Sequence, residues 1–156
     1  LSYRHKISIL KNTITSIVLF TIFFSSSLKL FQQNNSLELE KDWLNFFDTN
    51  INQFVQEDQI VFLDVTADWC ATCQFNKINV LTSDKIINLF KDNNIKLIRA
   101  DWTRPNKNIN IFLEKFDRFG IPFNAFFSSN FPNGILLSEL LSEKEIINAI
   151  NKINNE

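Results

Sequence analysis

Apolar positions along this chain fall into two patterns. "IVFLDVTA" (Ile60 to Ala67) and "IKLIRADW" (Ile95 to Trp102) are β-rich and almost wholly apolar, as in strands covered on both faces. "PFNAFFS" and "GILLSEL" predict two further strands, with "NFPNG" as the turn between them. Elsewhere the apolar residues recur at helical spacing. Leu37, Trp43, Leu44, Phe47, Ile51 and Phe54 predict a helix ahead of the first strand. "NKINVLTSDKIINLFKD" predicts another, with a break near Thr82 to Asp84. "NINIFLEKFDRF" predicts a third, ended by Gly120. "SEKEIINAINKI" closes the chain, and its start, Ser142 to Glu145, matches a capping box.

Helices between the first strands call for parallel crossovers, whereas the tight strand–turn–strand calls for an antiparallel edge. The expected fold is therefore α/β, a four-stranded mixed sheet with helices on both faces. In front of it stands "YRHKISILKNTITSIVLFTIFFSSSLKLF", a basic head followed by an apolar stretch from about Ile14 to Phe24. Counted from Ile7 to Leu30 it reaches the roughly 20 apolar residues that span a bilayer. Counted strictly it resembles the core of a signal peptide. Arg4, Lys6 and Lys11 precede it, so the positive-inside rule keeps the N-terminus cytoplasmic and exports the remainder of the chain. The alternative is a buried helix of the domain. "QQNNS" then breaks the pattern as a linker. The expected division is a transmembrane or signal-anchor segment with linker over residues 1–33 and a globular domain over 34–156.

Composition adds little to this. The net charge of the 156 residues is -1, with no dense Lys/Arg stripe, so nucleic acid is not an expected partner. The chain has no Met and begins with Leu1, as in a processed chain or a piece of a longer one.

The candidate chemistry lies in "ADWCATCQ", which holds the two cysteines, Cys70 and Cys73. Cys70 follows a strand and should open the next helix, where free N–H groups stabilise a thiolate. Thiols in such settings titrate between about 3.5 and 7.5, against about 8.5 for a free one. Cys70 is then the attacking, more exposed thiol, and Cys73, one turn on, resolves the mixed disulfide. A structural zinc site wants four ligands, and two Cys with the distant His5 fall short. Two inert core cysteines are the plainer alternative, and Cys–His hydrolysis lacks a histidine in the domain. No metal or other cofactor is expected.

Asp64 sits mid-strand among apolar neighbours. A buried carboxylate is costly unless it is paired, and such a group commonly has a raised pKa. Six residues before Cys70, it is placed to accept the Cys73 proton. The alternative is a carboxylate that is simply hydrogen-bonded. Pro122, in "GIP" just ahead of a strand, is an unusual place for proline. A cis Ile121–Pro122 bond would leave nearby backbone groups free to pair with a bound peptide as an added strand.

The stretches "FLDVTADWCATC", "ADWT" (Ala100 to Thr103) and "FGIPF" (Phe119 to Phe123) together resemble the thioredoxin superfamily. More closely they resemble the C-terminal periplasmic domain of the DsbD family of thiol:disulfide interchange proteins, from about Trp43 to the C-terminus. The resemblance implies a thioredoxin-like fold, a catalytic pair at Cys70 and Cys73, a buried acid at Asp64 and a cis proline at Pro122. Substrate would then meet Trp69, which shields the disulfide, together with Ile121 and Pro122. It further implies a relay from a membrane-embedded electron-donor domain to exported protein thiols and disulfides. The domain would face the periplasm from the inner membrane, anchored by the N-terminal segment.

Two departures stand out. Ala71–Thr72 separates the cysteines where thioredoxin itself has Gly-Pro. Asn76 and Lys77 occupy the turn where this family often carries an acid. If Lys77 lies near the thiols it favours a thiolate; otherwise it is a solvated helix face. The function class that competes with an oxidoreductase is an exported binding module that holds a partner or copper through its cysteines without turnover.

Overall fold

A computed structural model of the chain describes residues 16–25 and 42–156. The chain divides into two compact units after Glu38. In the first, residues 16–25 form helix α1. The rest of the expected membrane or signal segment and its linker lies outside the described residues. Among the described residues no helix is long and apolar enough to cross a membrane.

The second unit is built on a sheet of order β1-β3-β2-β4-β5. Its strands are β1 (Trp43–Asn45), β2 (Val61–Thr66), β3 (Lys96–Asp101), β4 (Phe123–Phe127) and β5 (Ile135–Leu136). β1, β3 and β2 run parallel, while β4 and β5 are antiparallel to their neighbours. Helices α2 (Ile51–Gln56), α3 (Ala71–Asn76), α4 (Asp84–Asp92), α5 (Lys107–Glu114) and α6 (Glu143–Asn155) connect and flank the strands. Helix α3 continues without a gap into π-helical turns at Lys77–Leu81.

The sheet thus has five strands, not the four expected, and the added one is β1. Trp43, Leu44 and Phe47 fit helical spacing, but Trp43–Asn45 pairs with Leu97–Arg99 of β3 instead. Two asparagines divide the segment. Asn45 Oδ1 accepts from Phe47 N at 2.9 Å and Asn50 Oδ1 from Asn52 N at 3.1 Å, so each opens a short new turn. Asn45 leads into a 3₁₀ turn at Phe46–Asp48, and Asn50 leads into α2.

The central strand β2 is buried from Val61 to Val65, which explains its unbroken apolar run. Alternation sorts its side chains onto two cores. Phe62 joins Leu97 and Phe126 beneath α4 and α6, whereas Val61, Leu63 and Val65 join Ile98, Ala125 and the α5 residues Ile109 and Leu113.

With two glycines available, the helices end on other residues. Asp58, Asn94 and Asp117 take positive φ (57°, 49° and 54°). At each, the next N–H reaches back five residues, as Arg118 N does to Leu113 O at 3.1 Å. Gly120 therefore does not end α5 as expected; Asp117 does. Gly134 does hold its turn, at φ 84°, where an added Cβ would lie 2.8 Å from the Phe127 ring. The expected break in the second helix falls at Ser83, whose Oγ accepts from Ile86 N. Of the expected capping box, Ser142 Oγ accepts from Glu145 N, while the Glu145 carboxylate accepts from Ser138 N and Oγ.

One buried polar contact ties the cysteine helix to the chain before α6. Asn76 donates to Glu139 O at 2.8 Å and accepts from the buried Leu141 N at 3.0 Å. Replacing Asn76 with Ala strands that N–H. The expected loss is about 1–3 kcal/mol in denaturant unfolding of the oxidised protein. An unchanged midpoint and slope would show that the contact carries no stability.

Candidate active site

The site lies where β2 gives way to α3. Cys70 is the N-cap of α3, in extended conformation, and is joined to Cys73 in a disulfide with Cα atoms 5.2 Å apart. Cys70 Sγ accepts from Cys73 N at 3.2 Å. The Cys70 sulfur thus occupies the place of a capping oxygen, facing the unpaired amides of a helix start. A negative charge that develops on Cys70 is stabilised there.

The loop is held from two sides. Cys70 N donates to Ala67 O, and the Gln74 side chain donates to the same carbonyl. Asp68 N donates to Thr103 Oγ1 at 3.0 Å and the Trp69 indole to Thr103 O at 3.2 Å. Thr103 N in turn donates to Asp101 Oδ1 at 2.8 Å. The "ADWC" and "ADWT" stretches are therefore two halves of one contact. Trp69 stays 64% exposed, so its ring is a tethered apolar surface beside the disulfide rather than part of a core. The cysteines themselves are more covered than expected. Cys70 is 7% and Cys73 3% exposed, because Ala67 and Ile121 pack against the pair.

Ile121–Pro122 is a cis peptide. The β2–β4 ladder begins at the Val65–Phe123 pair, so Ile121 and Pro122 precede it, and Ile121 reaches the cysteines.

Across the strand that leads into Cys70 runs a buried polar row that is only partly legible in the sequence. Asp64 pairs in register with Arg99 of β3 on one side and Asn124 of β4 on the other. Its Oδ2 accepts from Arg99 Nε at 3.3 Å and its Oδ1 from Asn124 Nδ2 at 2.9 Å. The Arg99 guanidinium carbon sits 4.0 Å from the centre of the Trp43 ring, a cation–π contact supplied by β1. Asp64 is recognisable from "FLDVT". Arg99 and Asn124 carry the same signal, a polar residue inside an apolar strand, but their alignment with Asp64 depends on register. Asn124 gives its amide to Asp64, and its own Oδ1 is buried with no protein partner.

Burial pushes the Asp64 carboxyl above its ordinary 3.8; the charge of Arg99, hydrogen bonds from Asn124 and Arg99, and the charge of Lys77 pull the other way without cancelling it. Lys77 is thus electrostatically coupled to the site from half-buried ground one turn past Cys73. Among the described residues, no group of three or more His, Cys, Asp or Glu gathers that could hold a metal ion.

A Cys-x-x-Cys disulfide at a strand-to-helix junction, with the Cys70 sulfur capping the helix, is a device for thiol–disulfide exchange. The comparisons with known proteins agree with that class. Residues 42–129 match the family described as thioredoxin-like, and the chain belongs to that family. It is 29% identical over 91 residues to the thiol:disulfide interchange protein DsbD of Campylobacter jejuni (strain RM1221). That match takes in 58% of this chain and 16% of the relative's length. In structure, it resembles the oxidised C-terminal domain of Neisseria meningitidis DsbD, with a TM-score of 0.54 at 19% identity over 65% of this chain and 87% of that one. The first thioredoxin domain of mouse protein disulfide-isomerase A4 gives 0.51 at 23% identity over 71% and 73%.

The folded protein holds the Asp64 proton more tightly than the unfolded chain does. The Asp64 contribution to stability is therefore fully present below the unfolded value and is lost as pH rises through the folded one. Above about pH 4, wild type should lose stability relative to Asp64→Asn as the pH is raised. Denaturant titrations of both proteins across pH check this, and parallel curves would contradict it.

Proposed function

We propose that this chain is a thiol–disulfide oxidoreductase domain that relays two electrons from a membrane-embedded partner domain to disulfides of exported proteins. The observation that carries the reading is the Cys70–Cys73 disulfide on the N-cap of α3, with the cis Ile121–Pro122 segment packed against it. The likeness to DsbD adds the relay. The chain spans about one sixth of those relatives' length, so the electron donor and the recipients are part of the proposal.

In the reaction, the Cys70 thiolate attacks one sulfur of a substrate disulfide. A Cys70–substrate bond forms, and the other substrate sulfur leaves as a thiolate that takes a proton. Cys73 then loses its proton to the Asp64 carboxylate and attacks Cys70. The Cys70–Cys73 bond forms, the substrate's second thiolate departs, and two electrons have passed to the substrate. The membrane partner reverses these steps through a dithiol of its own. Ile121 and Pro122 offer backbone to an extended substrate segment, and the exposed Trp69 ring offers an apolar contact beside the reacting sulfurs. The basic head and apolar stretch of residues 4–30 support an anchored domain facing the periplasm from the inner membrane.

Cys73→Ala removes the resolving thiol and should trap the mixed disulfide. Purified from cell envelopes without reductant, this variant should carry covalent adducts that reductant dissolves, both with exported disulfide proteins and with a membrane protein containing its own cysteine pair. Cys70→Ala should trap few. A folded Cys73→Ala protein free of adducts would sink the relay and leave a binding module that holds its partner without turnover.

A further inference from the structure

The chain has two glycines, and its own fold accounts for one of them. Gly134 takes a positive φ against the Phe127 ring. Gly120 has no positive φ, and a Cβ added there would meet no atom within 4 Å. Within the described residues, neither backbone geometry nor packing requires it to lack a side chain. Glycine also serves where a second backbone comes close, and the space in front of Gly120 is open to one. Its neighbour Phe119, at 81%, is the most exposed large apolar side chain among the described residues. Both directly precede Ile121, which packs against the disulfide.

Phe119 also lines a cavity of about 70 Å³, together with Trp102, Asn110, Leu113, Glu114 and Arg118. Trp102 N donates to Thr66 O at 2.7 Å at the end of β2. The next residue, Thr103, holds the Asp68 N–H and the Trp69 indole. The two segments that frame the disulfide therefore also wall this cavity. A disulfide holds the partner's Cα about 5.5 Å from that of Cys70, and an extended chain advances about 3.3 Å per residue. The partner side chains that can enter are those within a few positions of its cysteine.

Size and lining set the occupant. An engineered cavity of about 150 Å³ holds benzene. This one, at about half that volume, is too small for an aromatic ring and suits a branched aliphatic side chain. Trp102, Leu113 and Phe119 give it apolar walls, which an inserted charge would meet unsolvated.

We propose that this cavity is a subsite for one aliphatic side chain of the polypeptide joined to Cys70, presented by an extended segment that crosses Gly120. The inference rests on the exchange reaction proposed above. It adds a substrate class, namely protein disulfides with Leu, Ile or Val close to the attacked cysteine.

The test uses the reduced full chain and short peptides whose single cysteine is blocked as a mixed disulfide with 5-thio-2-nitrobenzoate. Cys70 attacks the peptide sulfur, the Cys70–peptide bond forms, and the nitrobenzoate leaves as a coloured thiolate. Positions on either side of the peptide cysteine carry Leu, Phe or Ser in turn. At one position Leu should speed release about tenfold over Ser, and Phe should give little gain. Each protein is read as its own Leu-to-Ser ratio, so a general loss of reactivity cancels. Phe119→Ala removes a wall and Gly120→Leu fills the approach, and both should abolish the preference. Leu113→Ala enlarges the cavity and should move the preference from Leu to Phe. If that variant does not fold, Phe119→Ala, at an exposed position, carries the test. Equal rates for Leu and Ser everywhere, a wild-type preference for Phe over Leu, or a Leu preference that Phe119→Ala and Gly120→Leu leave unchanged would overturn the subsite. Rates that Cys70→Ala matches would overturn the exchange reading itself, and the subsite with it.

Discussion

The ion pair between Asp64 and Arg99 joins two parallel strands in the interior of the sheet. A lone carboxylate there would be strongly destabilising, and a lone guanidinium nearly as much so. Much of the surrounding structure answers that constraint. Asn124 satisfies the second carboxylate oxygen, Trp43 covers the guanidinium, and β1 at the sheet edge presents Trp43. One row back on the same face, Leu97, Phe62 and Phe126 are wholly apolar. The polar row is thus a local exception, confined to the end of β2 that leads into Cys70.

The disulfide is fixed by backbone geometry rather than by bulk. Cys70 Sγ caps α3, and the loop that carries it is tied through Thr103 to the end of β3. Both β2 and β3 therefore contribute at their ends as well as through the ladder. The strands place the acid, and the loops after them place the thiols and Trp69. The parallel neighbours β2 and β3 thus bring the disulfide loop and the Thr103 turn together at the C-terminal edge of the sheet.

Much of this is legible in the sequence, and the rest is hidden for identifiable reasons. β2, β3 and β4 announce themselves as apolar runs because both of their faces are covered. Cys70, Cys73, Asp64 and Pro122 are conspicuous because each is chemically out of place in its surroundings. β1 escapes notice because Trp43, Leu44 and Phe47 satisfy helical spacing, and three residues are too few for alternation to declare itself. Helix ends are misjudged where glycine is taken as the stop signal; in a chain with so few glycines, Asp58, Asn94 and Asp117 do that work. Arg99 and Asn124 look like isolated polar residues, since only strand register brings them beside Asp64. Asn76 and Lys77, which stand out in the sequence only as departures, have separate roles, one anchoring the helix and the other acting on Asp64.

The central claim is that Cys70 and Cys73 form a working exchange centre and not a structural staple. Equilibration of the native domain with defined ratios of reduced and oxidised glutathione tests it most directly, with thiols counted by alkylation after quenching. The account predicts one two-electron transition, in which both cysteines open and close together, reversibly and with the fold retained. A disulfide that stays closed at every ratio until the protein is unfolded would contradict it.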